Sequence, residues 1–156
     1  MIDGYNLIFS LIESNESLQL MRQKIICYLQ KKFATKKFSG ILVFDGTHMR
    51  DEESGLSYKS PLVIAYAPKG YSADKYIIEQ IEIAENPKEV TVVTNDKGLI
   101  LHAKSAGAKV MANNTLIQQL NKKKRTSSKI ELKESPKNIE RLEKIFEERL
   151  KPKKGD

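Results

Sequence analysis

Apolar and polar positions alternate along this chain in two rhythms. Continuous apolar runs of four or five residues, Ile41-Leu42-Val43-Phe44, Leu62-Val63-Ile64-Ala65-Tyr66 and Val90-Thr91-Val92-Val93-Thr94, have the length and β-branched content of strands covered on both faces. Lys109-Val110-Met111 is a shorter run of the same kind, and Met1-Ile2-Asp3 opens the chain as another. Between them the spacing changes to three and four residues. Leu18, Met21, Ile25, Leu29 and Phe33 form one helical stripe, with Ser14 or Ser17 as its cap. Ile77, Ile78, Ile81 and Ala84 form a second stripe, entered through Ser72 and Asp74 and stopped at Asn86-Pro87. Leu99, Ile100 and Ala103 form a third, closed by Gly107. Leu116, Ile117 and Leu120 form a fourth, capped by Asn113 or Asn114.

Strands alternating with helices through short links predict an α/β fold with a central, mainly parallel sheet of about five strands and right-handed crossovers. The strand Leu62–Tyr66 is expected near a sheet edge. Residues 46–60 read as a long polar loop that starts where several strands end, so they could cover a site there. The first strand has only two residues before Asp3, too short an approach for a central strand, and an upstream start is expected. The compact unit is predicted over residues 1–121. Residues 122–156 follow as a basic linker and a C-terminal helix over 136–150, with Pro136 at its first position and an apolar stripe at Ile139, Leu142, Ile145 or Phe146, and Leu150.

Charge sharpens that division. Of the net +7, residues 1–120 carry 14 Lys+Arg against 13 Asp+Glu, and residues 121–156 carry 13 against 7. A basic tail on a nearly neutral body points to a polyanionic partner, nucleic acid before membrane, although such tails also serve solubility. Lys31, Lys32, Lys36 and Lys37 crowd one helix end, where the helix dipole alone accounts for them. No apolar run approaches the roughly 20 residues of a membrane span, and no signal-peptide pattern is visible. Cys27 is the single cysteine, so an intramolecular disulfide and a multi-thiolate zinc site are both excluded. A cytoplasmic chain is the simplest expectation.

The candidate chemistry lies in the strand ends. Asp3, Asp45 and Asp96 each close an apolar run, and Asp74 opens the helix after the run Leu62–Tyr66. In a parallel sheet these positions share the carboxyl edge, where open α/β folds bind ligands. Singly, each has a plain structural role: Asp3-Gly4 and Asp45-Gly46 are turn dipeptides, and Asp74 and Asp96 suit helix starts. Four carboxylates on one edge repel one another unless a cation lies between them, and a hard divalent ion, Mg²⁺ or Mn²⁺, meets that need. Asn6 adds an amide close to Asp3 that could orient a carboxylate, a water or a phosphate. His48 lies in the polar loop and His102 within a helix, where it reads as surface or packing. Asp51-Glu52-Glu53 reads as a solvated run rather than a second metal site. Gly-rich dinucleotide and P-loop signatures are absent, as is a nucleophile elbow. An aspartyl-phosphate enzyme or receiver domain is disfavoured, because Tyr5 stands where a second Asp is wanted and Tyr66 where a phosphoacceptor is wanted.

The ordered set Asp3-Gly4-Tyr5-Asn6, Val43-Phe44-Asp45, Gly70-x-Ser72-Ala73-Asp74-x-x-Ile77 and Val93-Thr94-Asn95-Asp96 resembles the NYN domains, specifically the YacP-like branch, relatives of PIN-domain nucleases. The resemblance covers about residues 1–120. It implies a PIN-like three-layer α/β/α sandwich and metal-dependent endoribonuclease activity with Mg²⁺ or Mn²⁺. Asp3, Asp45, Asp74 and Asp96 would be the metal ligands, and Asn6 a further catalytic-site residue. It also implies RNA as substrate, with links to RNA processing and the ribosome. The alternative is a non-catalytic RNA- or ribosome-binding protein of the same fold.

Overall fold

The computed structural model describes residues 1–13, 15–46, 56–59 and 61–123. Among the described residues the sheet has six strands in the order β3-β4-β2-β1-β5-β6. These are β1 (Ile2–Asp3), β2 (Gly40–Phe44), β3 (Leu56–Lys59), β4 (Leu62–Tyr66), β5 (Thr91–Val93) and β6 (Lys109–Met111). Five run parallel, and β3 pairs antiparallel with β4, Leu56 opposite Ala65 and Lys59 opposite Leu62. The expected five-stranded parallel sheet is therefore present. The unforeseen sixth strand lies inside the stretch read as loop. A four-residue Leu-Ser-Tyr-Lys segment has too few positions for a two-residue period to stand out from a polar surrounding. It also places β4 one strand in from the edge. Residues 47–55, with His48 and Asp51-Glu52-Glu53, and the helix expected over 136–150 lie outside the described residues.

Among the described residues five α-helices cover the sheet: α1 (Gly4–Leu11), α2 (Leu18–Lys36), α3 (Ala73–Glu82), α4 (Lys97–Ser105) and α5 (Asn113–Asn121). Their buried faces define two cores. One holds Leu7, Ile8, Ile25, Leu29, Leu42, Phe44, Leu116 and Leu120, so α1, α2 and α5 lie on one side. The other holds Val43, Ala65, Ile77, Ile81, Val92, Leu99 and Ala103, so α3 and α4 lie on the opposite side. Leu42 and Phe44 face one core and Val43 the other, the two-residue alternation of a strand buried on both faces. The stripe Met21, Ile25, Leu29 and Phe33 is buried, and Ser17 caps α2 through its Oγ and the Leu20 N–H at 3.3 Å.

Helix α1 was hidden in the apolar run after Asp3. It starts directly from β1 without a loop. That start requires glycine at position 4, because a Cβ there would lie 2.5 Å from the Phe44 ring and 2.8 Å from the Val43 carbonyl oxygen.

β1 is the pivot of the sheet. From it the chain steps outward through β2 to β4, and later returns to its other side through β5 to β6. The order reverses between β1 and β5, and that reversal opens a crevice at the carboxyl edge. Asp3 stands on one lip and Thr94-Asn95-Asp96 on the other. Met1 extends the short central strand, its carbonyl accepting from the Val93 N–H at 2.8 Å.

Candidate functional site

Asp3 is buried at the end of β1, in the N-cap position of α1, without closing a capping hydrogen bond. Burial pushes its carboxyl up to about 7, and the nearby Asp74 carboxylate adds to the rise. A backbone N–H of Asn6 acts the other way, and Asp96 contributes a smaller repulsion. The Asp3 and Asp74 side chains also act on each other, in a direction that raises Asp3 and lowers Asp74. Asp74, half-buried in the first turn of α3, is also raised, by burial first and then by Asp96, with a further push from Asp45. His102 on α4 offsets part of this. Carboxylates from four segments therefore meet at one edge of the sheet, Asp74 and Asp96 raising Asp3, and Asp96 and Asp45 raising Asp74, as three strand ends and one helix start predict.

Asp96 and Asp3 also take part in the local structure. Asp96 caps α4, its Oδ1 accepting from the Leu99 N–H at 2.8 Å. Its own N–H donates to Thr94 Oγ1 at 3.1 Å. The fully buried Thr94 in turn donates to Asp3 Oδ2 at 3.5 Å, so one hydroxyl bridges the two lips. Asp45 follows β2, half-buried, beside Gly46, where any side chain would collide with the backbone of Ala67 and Pro68. The structural and ligand readings of these residues are thus compatible.

The opposite wall is amide. Asn6 Oδ1 accepts from the Asn95 N–H at 2.8 Å and from Asn113 Nδ2 at 2.9 Å. Asn95 Oδ1 accepts from the Asn113 N–H at 3.0 Å. Asn113 is fully buried at the start of α5, and the N-cap position there belongs to Ala112. Neither Asn113 nor Asn114 is the cap, a correction with a clear cause: the Asn113 side chain is turned inward to bind α1. His102 is a surface residue of α4, as one of its two readings has it. It is exposed, yet it lines a groove of about 520 Å³ between α3 and α4 together with Ser72, Asp74, Glu79 and Gly98. The pattern of strand ends gave no signal for Thr94, Asn95, Asn113 or His102 as site neighbours. Only Thr94 and Asn95 could have been suspected, from their place between a strand and Asp96.

The donor set suits a hard divalent cation, being all oxygen and charged against itself. The spacing is looser than a closed coordination shell: among the described residues, no three His, Cys, Asp or Glu side chains are drawn together tightly enough to hold an ion.

The three-layer α/β/α sandwich with its mainly parallel sheet is a PIN-like fold. Residues 1–154 match the YacP-like NYN domain, and the chain belongs to that family, which is a nuclease family. Two solved structures of Rae1 (YacP) from Bacillus subtilis share the fold. A tryptophan-to-leucine mutant aligns with TM-score 0.58 and 17% identity over 99% of this chain and 84% of that one. A second structure aligns with TM-score 0.55 and 17% identity over 95% and 81%. A search of curated proteins gives no significant match.

Proposed function

We propose that this chain is a metal-dependent endoribonuclease whose reaction takes place between Asp3, Asp45, Asp74 and Asp96. The observation that carries the reading is the mutual influence of these four carboxylates at the switch-point edge, within a chain of a nuclease family. Asp3 and Asp96 would be the principal ligands of Mg²⁺ or Mn²⁺, with Asp74 and Asp45 completing the set directly or through water. When bound, the ion supplies activation of the attacking water and charge stabilisation on the phosphodiester.

The chain's own residues do the rest. Thr94 holds Asp3 and the Asp96 backbone at a fixed separation. Asp96 stays oriented because α4 is built on its Oδ1, which leaves Oδ2 without a partner among the described residues. Asp3, whose carboxyl is pushed up to about 7 by burial and by Asp74, would hold the ion as the carboxylate, so binding would favour its ionised form. Asn6 stands beside Asp3 as a polar wall for the substrate.

The substrate is RNA in this reading, in processing or on the ribosome, and the excess of Lys and Arg over residues 121–156 supports a polyanionic partner. Among the described residues no helix is long and apolar enough to cross a membrane.

The test is incubation of the purified chain with end-labelled RNA in Mn²⁺, Mg²⁺ or excess chelator. Internal cleavage that needs the ion is the expected result. RNA binding without cleavage under every condition would leave the alternative, a non-catalytic RNA-binding protein of the same fold. Cleavage undiminished in chelator would remove the metal from the reaction.

A further inference from the structure

The two walls of the crevice differ in which atoms remain open. Asn6 Oδ1 already accepts two hydrogen bonds, from the Asn95 N–H and from Asn113 Nδ2, and an amide oxygen has two lone pairs. Asn6 Nδ2 has two N–H groups and no partner among the described residues. The amide is therefore locked with its oxygen spent and its nitrogen free.

Asn113 sets that lock. Its Nδ2 lies 2.9 Å from Asn6 Oδ1, 3.3 Å from the Asn6 carbonyl oxygen and 2.9 Å from Ser10 Oγ. Exchanging its oxygen and nitrogen would turn an acceptor onto the two Asn6 oxygens, so the orientation is fixed. Asn113 Oδ1 is then buried with no hydrogen-bond partner among the described residues. An unpaired buried amide oxygen destabilises a fold. Packing alone therefore does not account for an asparagine at this position.

We infer that Asn113 is a positioning residue, which holds Asn6 so that its NH₂ group donates to a non-bridging phosphate oxygen of the bound strand. The same lock keeps Asn6 Oδ1 from serving as a metal ligand. In a crevice of carboxylates an anionic phosphate needs neutral donors as well as a cation, and an amide NH₂ supplies one without competing for the ion. This assignment rests on the nuclease reading for its ligand, and it concerns binding rather than bond breaking.

The test separates ion binding from strand binding. Affinity for a 2′-O-methyl RNA oligonucleotide, whose integrity is checked on a gel after each titration, is measured by fluorescence anisotropy in Ca²⁺, and Mn²⁺ affinity by calorimetry. Asn6→Asp keeps an acceptor for both Asn95 and Asn113 but removes the free donor. Asn6→Ala removes it without adding charge. Asn113→Ala removes the lock. Loss of a hydrogen bond to a charged group predicts about a 10- to 100-fold loss of oligonucleotide affinity in both Asn6 variants. Asn113→Ala is expected to lose about 3- to 10-fold, with KM for RNA raised more than kcat is lowered. Mn²⁺ affinity should hold in Asn6→Ala and Asn113→Ala and tighten in Asn6→Asp.

Wild-type oligonucleotide affinity in Asn6→Ala would overturn the assignment, since a loss confined to Asn6→Asp is charge repulsion. So would a parallel loss of Mn²⁺ affinity in Asn113→Ala, which would mean that the pocket had collapsed. Wild-type protein that binds the oligonucleotide but never cleaves RNA overturns the endoribonuclease reading alone.

Discussion

The two walls of the crevice are built from nearly isosteric residues and obey opposite rules. On the amide wall Asn6, Asn95 and Asn113 exchange hydrogen bonds around a closed ring, so α1, the β5–α4 link and α5 are held in one arrangement. On the carboxylate wall Asp3 and Asp74 oppose each other, with Asp96 and Asp45 adding to the repulsion. On one wall the Asn6 and Asn95 side-chain oxygens are paired within the protein, and the other wall is at odds with itself. A polar group that merely stabilises a fold finds its partner inside the fold. Groups that remain in conflict mark the place where something else is meant to bind.

The largest break in this comparison is to convert one wall into the other. Asp96→Asn keeps an oxygen for the Leu99 N–H, so the cap on α4 survives. A neutral amide binds Mg²⁺ or Mn²⁺ far less well than a carboxylate. Losing several kcal/mol of charge stabilisation predicts a fall in RNA cleavage of roughly a thousand-fold. Cleavage rates in saturating Mn²⁺, compared with far-ultraviolet circular dichroism of the same samples, check this. A variant that cuts at the wild-type rate would remove Asp96 from the reaction.

A second test uses pH in chelator. Asp3 titrates near 7 when folded and at the ordinary carboxylate value of 3.8 when unfolded. Between those values the folded state binds more protons, so the contribution of Asp3 to stability falls as pH rises from about 4 to about 7 and is flat above. This is the reverse of a salt-bridged carboxylate. Asp3→Asn should abolish that slope and, at pH 8 without metal, stabilise the protein by on the order of 2 to 4 kcal/mol. Melting temperatures of the two proteins from pH 4 to 8 give the difference directly. Equal slopes would mean that the repulsion is not felt.

Much of the carboxylate wall was legible because parallel strands put their last residues on one edge, and three of the four acids end apolar runs. The amide wall was not legible, since its members interact through side chains more than a hundred residues apart, as Asn6 and Asn113 do. Position 113 fits a cap template equally well, and only tertiary packing decides that Ala112 takes that role. Helix α1 was missed for a related reason: eight residues directly after a strand give too short a window for a 3.6-residue period to separate from a continuing apolar run. Its start depends on the Phe44 ring from another strand.

That dependence gives the third prediction. Gly4 lies between Asp3 and Asn6, so moving it shifts both walls together. Gly4→Ala gains helix propensity but drives a methyl against Phe44 and the Val43 carbonyl. Overpacking of this kind predicts a net loss of about 1 to 3 kcal/mol. Chemical denaturation measures it, and unchanged stability would show that α1 can move away from β2.

The smallest effect tests redundancy within the amide wall. Ser10 Oγ accepts from Asn113 Nδ2 at 2.9 Å and donates to the Leu7 carbonyl, also at 2.9 Å. It is an exposed residue at the rim of the network. In Ser10→Ala the Asn113 amide still has Asn6 Oδ1 and the Asn6 carbonyl as acceptors, and water can reach what the hydroxyl leaves. The expected cost is therefore at the low end for a hydrogen bond, about 0.5 kcal/mol, with RNA cleavage within about twofold of wild type. Denaturant midpoints and steady-state rates measure the two quantities. A loss of activity as large as that of Asn113→Ala would move the origin of the lock from Asn113 to Ser10. A small effect here beside a large one there would show that the orientation of Asn6 is held by one buried amide and not by the number of its partners.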